Sequence, residues 1–390
     1  MGEIIEKIRE FFTGVFKRLF KKGSGSVLGV DIGASSIKVV QLRRKHGKAI
    51  LETYGELALG PYADLAIGQA TNLSADKLVE ALNDVIREAN VTAKNAGVSI
   101  PLAASLLSVI EIPFISKKRL EEMIPIEARK YIPVPITDVS LDWRLLPSTG
   151  PLSDEEEKQT KKTGQVNSSL SKHRKTVKVL IVAIHNTILD KYRRIIGQTN
   201  LDVSFFEIEI FSFIRALLSG TRTAALVLDL GSSTTKLSIV ENGIPFSTHI
   251  INRGSQDITI ALSKSLGLSM PKAEELKRAK GLSKGAVADK EMENTTRLII
   301  GGIFSSANRM LLDYEKKYNK TVEKVILLGS GSRLKGIFEI ARSNFDAEVI
   351  FADPFSRVET PAFLEPVLKE AGPSFTVAIG IALRKLEEME

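Results

Sequence analysis

A short internal repeat is the feature that most constrains how this 390-residue chain can fold. Two segments align without gaps, VLGVDIGASSIKVV at 27–40 and ALVLDLGSSTTKLS at 225–238. In each copy an apolar run leads into a Gly/Ser-rich turn and then into a second β-rich run, which predicts one β-hairpin in each half of the chain. The aligned positions carry the same residue types: Asp31 and Asp229, Gly33 and Gly231, Ser35 and Ser233, Lys38 and Lys236.

These turns have the chemistry of a phosphate clamp. A glycine after the aspartate lets backbone N–H groups approach a polyphosphate closely, because no Cβ is in the way. The serines add hydroxyl donors, and Lys38 supplies a point charge for phosphate oxygens. Asp31 and Asp229 can hold Mg²⁺ through its water shell. One Asp-x-Gly turn is common in plain hairpins, but two matching copies predict that both turns grip one triphosphate.

With this repeat the chain resembles the superfamily of actin, sugar kinases and heat-shock chaperone ATPases, whose duplicated half-domains carry two phosphate loops. The resemblance implies that ATP and Mg²⁺ bind in a cleft between two lobes. Other segments follow in the family's order: an adenosine motif at 325–337, an adenosine-contacting helix at 272–281, and connecting helices at 206–218 and 377–386. Taken alone, the first is a common strand–turn–helix corner, and Glu274 and Lys277 of the second fit an exposed ion pair equally well.

The resemblance also assigns the candidate site residues. It places Glu209 near the γ-phosphate as the candidate catalytic residue, with Glu207 as the rival alignment, and it allows close helix packing at Gly380. The expected Mg²⁺ residues, acting through water, are Asp31 and Asp229. The residues expected to bind nucleotide are Asp31, Gly33, Ala34, Ser35, Ser36, Lys38, Asp229, Gly231, Ser232, Ser233, Thr234, Lys236, Gly254, Glu274, Lys277, Gly329, Ser330, Gly331 and Arg333.

About a hundred residues between the predicted helix Asp76–Ala89 and the first connecting helix indicate the FtsA/PilM branch of the superfamily. The segment 119–146 predicts a helix, a Pro-punctuated turn and a strand, and it resembles the PilM family of cytoplasmic actin-like proteins in type IV pilus assembly. This resemblance implies binding of the N-terminal cytoplasmic peptide of PilN, in a groove between subdomains 1A and 1C, and association with the PilN/PilO inner-membrane complex. The alternatives are an FtsA-like division protein, an actin-like filament former and the related component of a type II secretion system.

The expected fold class is α/β, an actin-like ATPase fold with ribonuclease H-like duplicated half-domains and an inserted 1C subdomain. The predicted organisation is an N-terminal amphipathic helix and linker (1–25), subdomain 1A (26–93 and 195–223), partner-binding subdomain 1C (94–194), subdomain 2A (224–266 and 323–390) and subdomain 2B (267–322).

The composition limits the cellular compartment and the classes of ligand and partner. The chain has no cysteine, which excludes disulfides and thiolate chemistry and favours a reducing cytoplasm. Its four histidines show no metal-ligand spacing. The net charge is +8, but no basic stripe is interleaved with aromatic residues, so we expect no nucleic-acid partner. The apolar runs are shorter than a bilayer span, so we expect a soluble protein that does not cross the membrane.

The N-terminal segment 1–22 carries an apolar stripe at i, i+3 and i+4 spacing, followed by basic residues including Lys21 and Lys22. Such a helix fits the surface of an anionic inner leaflet, and a partner helix or the protein's own surface fits the stripe nearly as well. The chain ends soon after the second connecting helix, where FtsA proteins carry a membrane-binding helix. The polar tract 148–176 predicts a solvated hairpin loop.

Enzymatic activity and assembly state stay open at this point. A sugar or acetate kinase needs a second substrate pocket with a catalytic aspartate, and the sequence identifies none. Phosphoryl transfer to water needs a residue that orients the water, and Glu209 is the one candidate. We therefore expect at most slow ATPase activity and leave a homo-oligomer open.

Overall fold

The structure is a computed structural model that describes residues 25–113, 117–146, 176–282 and 290–389. The predicted amphipathic segment 1–22, and the predicted polar loop apart from its last residue, Thr176, lie outside the described residues. Contacts within the chain define two units, separated between Ala103 and Ala104 and again between Leu189 and Asp190. The first unit combines the N-terminal and C-terminal parts of the chain, and the second unit is the segment between them.

The first unit contains two five-stranded sheets of identical strand order. In each sheet the first strand of the repeat lies at the centre, antiparallel to the strand that follows it and parallel to a later one. The first sheet consists, in spatial order, of β3 (Lys48–Ala58), β2 (Ser36–Lys45), β1 (Ser26–Ile32), β4 (Asn95–Ile100) and β8 (Asp202–Ile208). The second consists of β11 (Ile244–Ile251), β10 (Thr235–Glu241), β9 (Ala225–Leu230), β12 (Lys324–Leu328) and β13 (Glu348–Phe351).

Both predicted hairpins are present. In the first, β1 pairs with β2 so that Asp31 lies opposite Lys38, and in the second β9 pairs with β10 so that Asp229 lies opposite Lys236. The central strands are buried almost throughout, as expected for strands that are covered on both faces. The two sheets, with the helices that pack on them, are called the first lobe and the second lobe below.

Helices cover the sheets where the sequence gives an apolar face. The predicted helix Asp76–Ala89 is α1 (Ala75–Glu88), which begins after Ser74, whose side chain accepts a hydrogen bond from the Lys77 backbone N–H. The other helices of the first unit are α4 (Glu209–Leu218), α5 (Ser255–Leu266), α6 (Met270–Lys280), α7 (Lys290–Tyr318), α8 (Ile337–Asn344) and α9 (Glu365–Glu387), and α3 (Asn186–Ile196) begins in the second unit and continues into the first. No helix within the described ranges is both long enough and apolar enough to cross a bilayer.

The C-terminal helix α9 differs from the prediction in its length and in the sheet on which it packs. It is longer than the predicted connecting helix 377–386, and it packs on the first sheet although 323–390 was assigned to the second lobe. The packing is close because a Cβ on Gly29 of β1 would lie 2.0 Å from the Ala378 carbonyl oxygen. The chain therefore returns from the second lobe to complete the core of the first.

The second unit has its own sheet and core. Its three strands lie in the order β5 (Ser105–Pro113), β7 (Thr176–His185) and β6 (Val139–Leu145), and all pair antiparallel. The predicted helix, proline turn and strand are present as α2 (Lys117–Ala128) followed by β6. The predicted start of subdomain 1C at residue 94 is wrong, because β4 (Asn95–Ile100) is a strand of the first sheet. The core of this unit includes Ile110, Leu120, Ile124 and Ile181.

Candidate functional site

The two Asp-x-Gly turns line one cavity in the first unit, which we call the turn cavity. The first turn contributes Asp31, residues 33–36 and Lys38, and the second contributes Asp229, residues 231–234 and Lys236. Glu209, at the start of α4, lies in the same wall, as do Gly329 and Ser330 of the predicted adenosine motif. Residues from four distant parts of the sequence therefore meet at one place.

Backbone hydrogen bonds fix the shape of each turn. The Gly33 N–H donates to the Ser36 carbonyl at 2.9 Å, and the Gly231 N–H donates to the Thr234 carbonyl at 3.0 Å. A Cβ on Gly231 would lie 2.7 Å from that carbonyl oxygen, so the second turn requires glycine. Gly254 precedes α5 and packs on the same turn, where a Cβ would lie 2.3 Å from the Ser232 carbonyl oxygen. The turn is thereby held against the positively polarised N-terminus of α5.

The two aspartates are held in different ways. Asp31 Oδ1 accepts a hydrogen bond from Ser99 Oγ at 2.7 Å, and Ser99 is almost fully buried in β4. Asp229 Oδ2 accepts from Lys236 Nζ at 3.1 Å. The two carboxylates lie near the ends of equivalent strands and line the cavity. They are the type of oxygen donor that Mg²⁺ uses sparingly while it keeps its waters.

Lys236 also binds Glu209, with 2.8 Å between Nζ and Oε2. The other Glu209 oxygen accepts from the Leu102 backbone N–H at 2.6 Å. Burial raises the pKa of Glu209, whereas Asp229 and Glu209 together raise the pKa of Lys236 against the opposing effect of its own burial. Lys236 was predicted to bind nucleotide, but its ammonium group already lies between two carboxylates.

Glu207, the rival of Glu209 in the sequence alignment, belongs to a different cluster. It is the last residue but one of β8, and it accepts bidentate hydrogen bonds from Arg215 at 2.7 and 2.8 Å and a further one from Arg384 at 2.9 Å. Burial opposes its ionisation, but the two guanidinium groups hold the pKa of Glu207 below its usual range. The predicted connecting helix 206–218 begins at Glu209, and Glu207 does not line the turn cavity.

Lys38 contacts Ser36 and Glu56 of the first lobe. Its ammonium group donates to Ser36 Oγ at 2.8 Å and lies 3.4 Å from a carboxylate oxygen of Glu56. Ser36 Oγ also donates to Glu56 at 2.8 Å. Although burial opposes it, Lys38 holds the pKa of Glu56 below its usual value. The charge at the first turn is therefore balanced locally by a residue that the sequence did not single out.

A second cavity, of roughly 390 Å³, shares Ser35, Ser36 and Ser330 with the turn cavity. Its volume lies within the range of small-molecule sites. Its walls include four further predicted residues, Glu274, Lys277, Gly331 and Arg333, whereas Gly254 lines neither cavity. Glu274 and Lys277 form a 2.7 Å ion pair, and Thr259 Oγ1 donates to the same glutamate at 2.7 Å. We call this the adjoining cavity.

Three residues of α9 line the turn cavity although the sequence argument did not identify them: Pro373, Ser374 and Val377. The Pro373 carbonyl accepts from the Gly329 N–H at 2.9 Å, which joins α9 to the predicted adenosine motif. Ser374 Oγ is buried and has no hydrogen-bond partner among the described residues. A proline inside a helical pattern was the available signal, because Pro373 leaves the carbonyl four residues earlier without its helical donor.

Two protein families match different parts of the chain. The family described as "Type IV pilus assembly protein PilM" matches residues 29–159, and the family of the cell division protein FtsA matches residues 226–380. A structure described as the "PilM-PilN type IV pilus biogenesis complex" superposes with a TM-score of 0.74 at 23% identity, over 92% of this chain and 98% of that chain. The predicted resemblance to PilM is confirmed.

Other relatives support the fold. The ethanolamine utilization protein EutJ from Carboxydothermus hydrogenoformans superposes with a TM-score of 0.50 at 13% identity, over 98% of this chain and 97% of that one. The cell division protein FtsA of Borreliella burgdorferi is 23% identical over 186 residues, which are 42% of this chain and 43% of that protein. The chain thus spans less than half the length of this curated relative. The chain of this protein has the actin-like fold.

Proposed function

We propose that this protein is an ATP-binding, actin-like component of the inner-membrane platform that assembles type IV pili. The observation that carries the nucleotide part is the turn cavity, in which two copies of the same Asp-x-Gly turn meet inside an actin-like fold. The observation that carries the pilus part is the PilM match over residues 29–159, which reaches into the second unit. The FtsA match at 226–380 lies in the part of the chain that forms the second lobe and α9.

In this proposal the triphosphate lies in the turn cavity and the nucleoside in the adjoining cavity. The serine hydroxyls and the backbone N–H groups of the two turns bind phosphate oxygens, except the N–H groups of Gly33 and Gly231, which already donate within the turns. Asp31 and Asp229 hold Mg²⁺ through water, and the ion neutralises phosphate charge when it is bound. Glu274, Lys277 and Arg333 contact the nucleoside. Glu209 accepts a hydrogen bond from the attacking water. Because its two oxygens already accept from Lys236 and the Leu102 N–H, we expect slow hydrolysis at most.

We also propose the N-terminal cytoplasmic peptide of PilN as the partner, and through it the PilN/PilO complex. Support comes from the similarity to a structure whose description names a PilM–PilN complex. The second unit, residues 104–189, is the part that we expect the peptide to require. Nucleotide state then changes peptide affinity, and linkage requires the peptide to change ATP affinity by the same factor.

Calorimetric titration tests both parts. ATP is titrated with and without Mg²⁺, and a PilN N-terminal peptide is titrated with ATP and in nucleotide-free buffer. Replacement of 104–189 by a short Gly/Ser linker should abolish peptide binding and retain ATP binding. This deletion spares β4, which the first sheet needs. A chain that binds ATP, ignores the peptide and co-assembles with a tubulin-like division protein would be FtsA-like.

The proposed location is the cytoplasmic face of the inner membrane, with residues 1–22 on the lipid surface. The proposal rests on the amphipathic spacing and the basic residues of that segment. The protein should co-sediment with vesicles that contain anionic lipid and should dissociate from them in high salt. If removal of residues 1–22 leaves vesicle binding unchanged, the segment does not act as a membrane contact.

A further inference from the structure

A short segment between β3 and α1 connects the two lobes. We call residues 66–71 the strap. Both the backbone N–H and the hydroxyl of Thr71 donate to the Ala34 carbonyl of the first turn, at 2.8 and 3.2 Å. The neighbouring Ala70 N–H donates to Gln256 Oε1 of the second lobe at 2.9 Å. The strap therefore reaches from the first Asp-x-Gly turn to α5.

Gln256 completes a connection between the two turns. It is the second residue of α5, and its backbone N–H donates to the Ser232 carbonyl of the second turn at 2.9 Å. Hydrogen bonds and short stretches of backbone thus join the Ala34 carbonyl to the Ser232 carbonyl. The strap and Gln256 are not among the residues that line the turn cavity. The connection therefore holds the two turns together from outside the space assigned to phosphate.

The strap has a defined conformation of its own. The Ala66 N–H donates to Gln69 Oε1 at 2.9 Å, and the Gln69 N–H donates to the Ala66 carbonyl at 3.2 Å. Gly68 has a φ of 91°, in the region that favours glycine. A Cβ at Gly68 would also lie 2.7 Å from Glu274 Oε1 of α6. Glycine at this position lets the strap lie directly against the second lobe.

The strap also forms part of the adjoining cavity. Ile67 and Gly68 line this cavity, and so do Glu274 and Lys277 of the second lobe. The side chain of Ile67 is 54% exposed although it is apolar. A ligand that covers Ile67 removes apolar surface from water, which favours binding. The strap therefore adds an apolar contact to a cavity that contains a buried ion pair.

We propose that the strap is a third component of the nucleotide site and that Gln256 is a positioning residue for it. This inference rests on the proposed function, because it requires the nucleoside to lie in the adjoining cavity. Ile67 packs on the nucleoside, and Gln256 holds the strap and the second turn together while nucleotide is bound. Nucleotide leaves when the hydrogen bond between Ala70 and Gln256 opens, so this bond sets the lifetime of the bound state.

The release rate of ATP tests the role of Gln256. Radiolabelled Mg·ATP is bound to the full chain, excess unlabelled ATP is added, and the label that stays bound is followed by filter binding. Gln256→Leu removes the acceptor of the Ala70 N–H and keeps the backbone N–H that contacts the second turn. We expect release to become about fivefold faster, as for the loss of one hydrogen bond. Gln198→Leu is the matched control, because the Gln198 side chain donates to the Arg194 carbonyl and lines neither cavity. It should release ATP at the wild-type rate.

Ile67→Ala tests the contact with the nucleoside. Leu312 of α7 is equally exposed, at 54%, and lines neither cavity, so Leu312→Ala is the matched control. We expect Ile67→Ala to weaken ATP binding about threefold through lost apolar contact. Its affinity for inorganic tripolyphosphate, which has no nucleoside, should stay unchanged. Leu312→Ala should change neither affinity, and calorimetry measures both ligands.

A reversible cross-link tests the strap directly. The chain has no cysteine, so Ala70→Cys combined with Gln256→Cys provides the only two thiols. A short bis-methanethiosulfonate that joins these thiols while ATP is bound should slow release below the wild-type rate. Dithiothreitol should then restore the faster release of the variant that is not cross-linked.

The possible outcomes separate the strap from the proposed function. Wild-type release from Gln256→Leu, or equal release from the cross-linked and the reduced chain, would overturn the role of Gln256. Equal losses of ATP and tripolyphosphate affinity in Ile67→Ala would overturn the contact with the nucleoside. A wild-type chain that binds no ATP would instead refute the proposed function, and the role of the strap with it.

Discussion

Lys236 lies between Glu209 and Asp229, with its Nζ 2.8 Å from the first carboxylate and 3.1 Å from the second. The lysine side chain is only 14% exposed and the two carboxylates still less, so the three groups interact with little solvent screening. One positive charge for two negative charges leaves the cluster with an excess of negative charge, to which Asp31 adds. A divalent cation in the turn cavity would balance that excess.

The first prediction separates the two glutamates that compete in the alignment. Glu209→Gln should lower the rate of phosphate release from ATP while ATP affinity changes by no more than a few fold. The amide oxygen keeps the Leu102 hydrogen bond, but the NH2 group is a donor and replaces the oxygen that accepts from Lys236 and would accept from water. Glu207→Gln should leave the rate and the ATP affinity unchanged. It should lower the free energy of unfolding by roughly 3–5 kcal/mol, since it leaves Arg215 and Arg384 without their shared counter-charge. The opposite pattern in single-turnover assays would make Glu207 the functional residue.

The second prediction concerns the aspartates of the two turns. Asp31→Ala and Asp229→Ala should each abolish the Mg²⁺ dependence of ATP binding and leave the circular dichroism spectrum unchanged. Lys38→Ala should weaken ATP binding more than adenosine binding. Asp313→Ala, an exposed aspartate outside both cavities, is the matched control. If calorimetry finds the same ATP affinity in all variants, nucleotide does not bind at the two turns.

Much of this arrangement was accessible from the sequence because it is local or repeated. An apolar strand, an Asp-x-Gly turn and a second strand form a hairpin from neighbouring residues, and duplication implies that two hairpins act together. The predicted residues other than Gly254 therefore line two adjoining cavities. Their roles in nucleotide binding stay predictions.

Other features depend on tertiary contacts that no local pattern encodes. The sequence could not show that α9 returns to the first sheet, because its apolar face fits either lobe equally well. It could not show that Ser99 orients Asp31 from 68 residues away, or that Glu56 pairs with Lys38 across β2 and β3. Equally, β4 was assigned to the insertion because an isolated six-residue strand carries no information about the sheet it joins.

The third prediction concerns Ser374, a residue that lines the turn cavity and whose buried hydroxyl has no hydrogen-bond partner among the described residues. If a phosphate oxygen accepts from this hydroxyl, Ser374→Ala should weaken ATP binding about tenfold and leave the stability of the nucleotide-free protein unchanged or slightly higher. Thr376→Val is the control on the same helix, because the Thr376 hydroxyl donates to the Pro373 carbonyl at 3.1 Å. Thr376→Val should lower the free energy of unfolding and leave ATP affinity unchanged. Equal ATP affinity in Ser374→Ala and the wild type would exclude a contact with phosphate.

The fourth prediction is a pH dependence of stability at Glu207. Arg215 and Arg384 hold its pKa below the ordinary value of 4.5 despite burial. A carboxyl with a lowered pKa in the folded state stabilises the fold above its unfolded pKa, and that stabilisation is lost as the pH falls through the folded pKa. The stability difference between the wild type and Glu207→Gln should therefore be constant near neutral pH and shrink below about pH 4.5. Urea titrations at several pH values measure it, and a difference that grows in acid would contradict the assignment.

The last prediction concerns the contact between α4 and α9, the helices that carry Glu209 and Ser374. A Cβ on Gly380 would lie 2.0 Å from the Ser212 carbonyl oxygen, whereas a Cβ on Gly301 of α7 would meet no atom within 4 Å. Both glycines are in helices, where alanine is intrinsically better by ~0.5–1 kcal/mol. Gly301→Ala should therefore raise the free energy of unfolding by about that amount. Gly380→Ala should lower it by about 3 kcal/mol, because the backbone of α4 cannot yield without moving the helix. The displaced helix carries Glu209 away from Lys236, so Gly380→Ala should also weaken ATP binding, which Gly301→Ala should leave intact. Equal stabilisation by both substitutions would mean that α4 and α9 do not pack as closely as the structure shows.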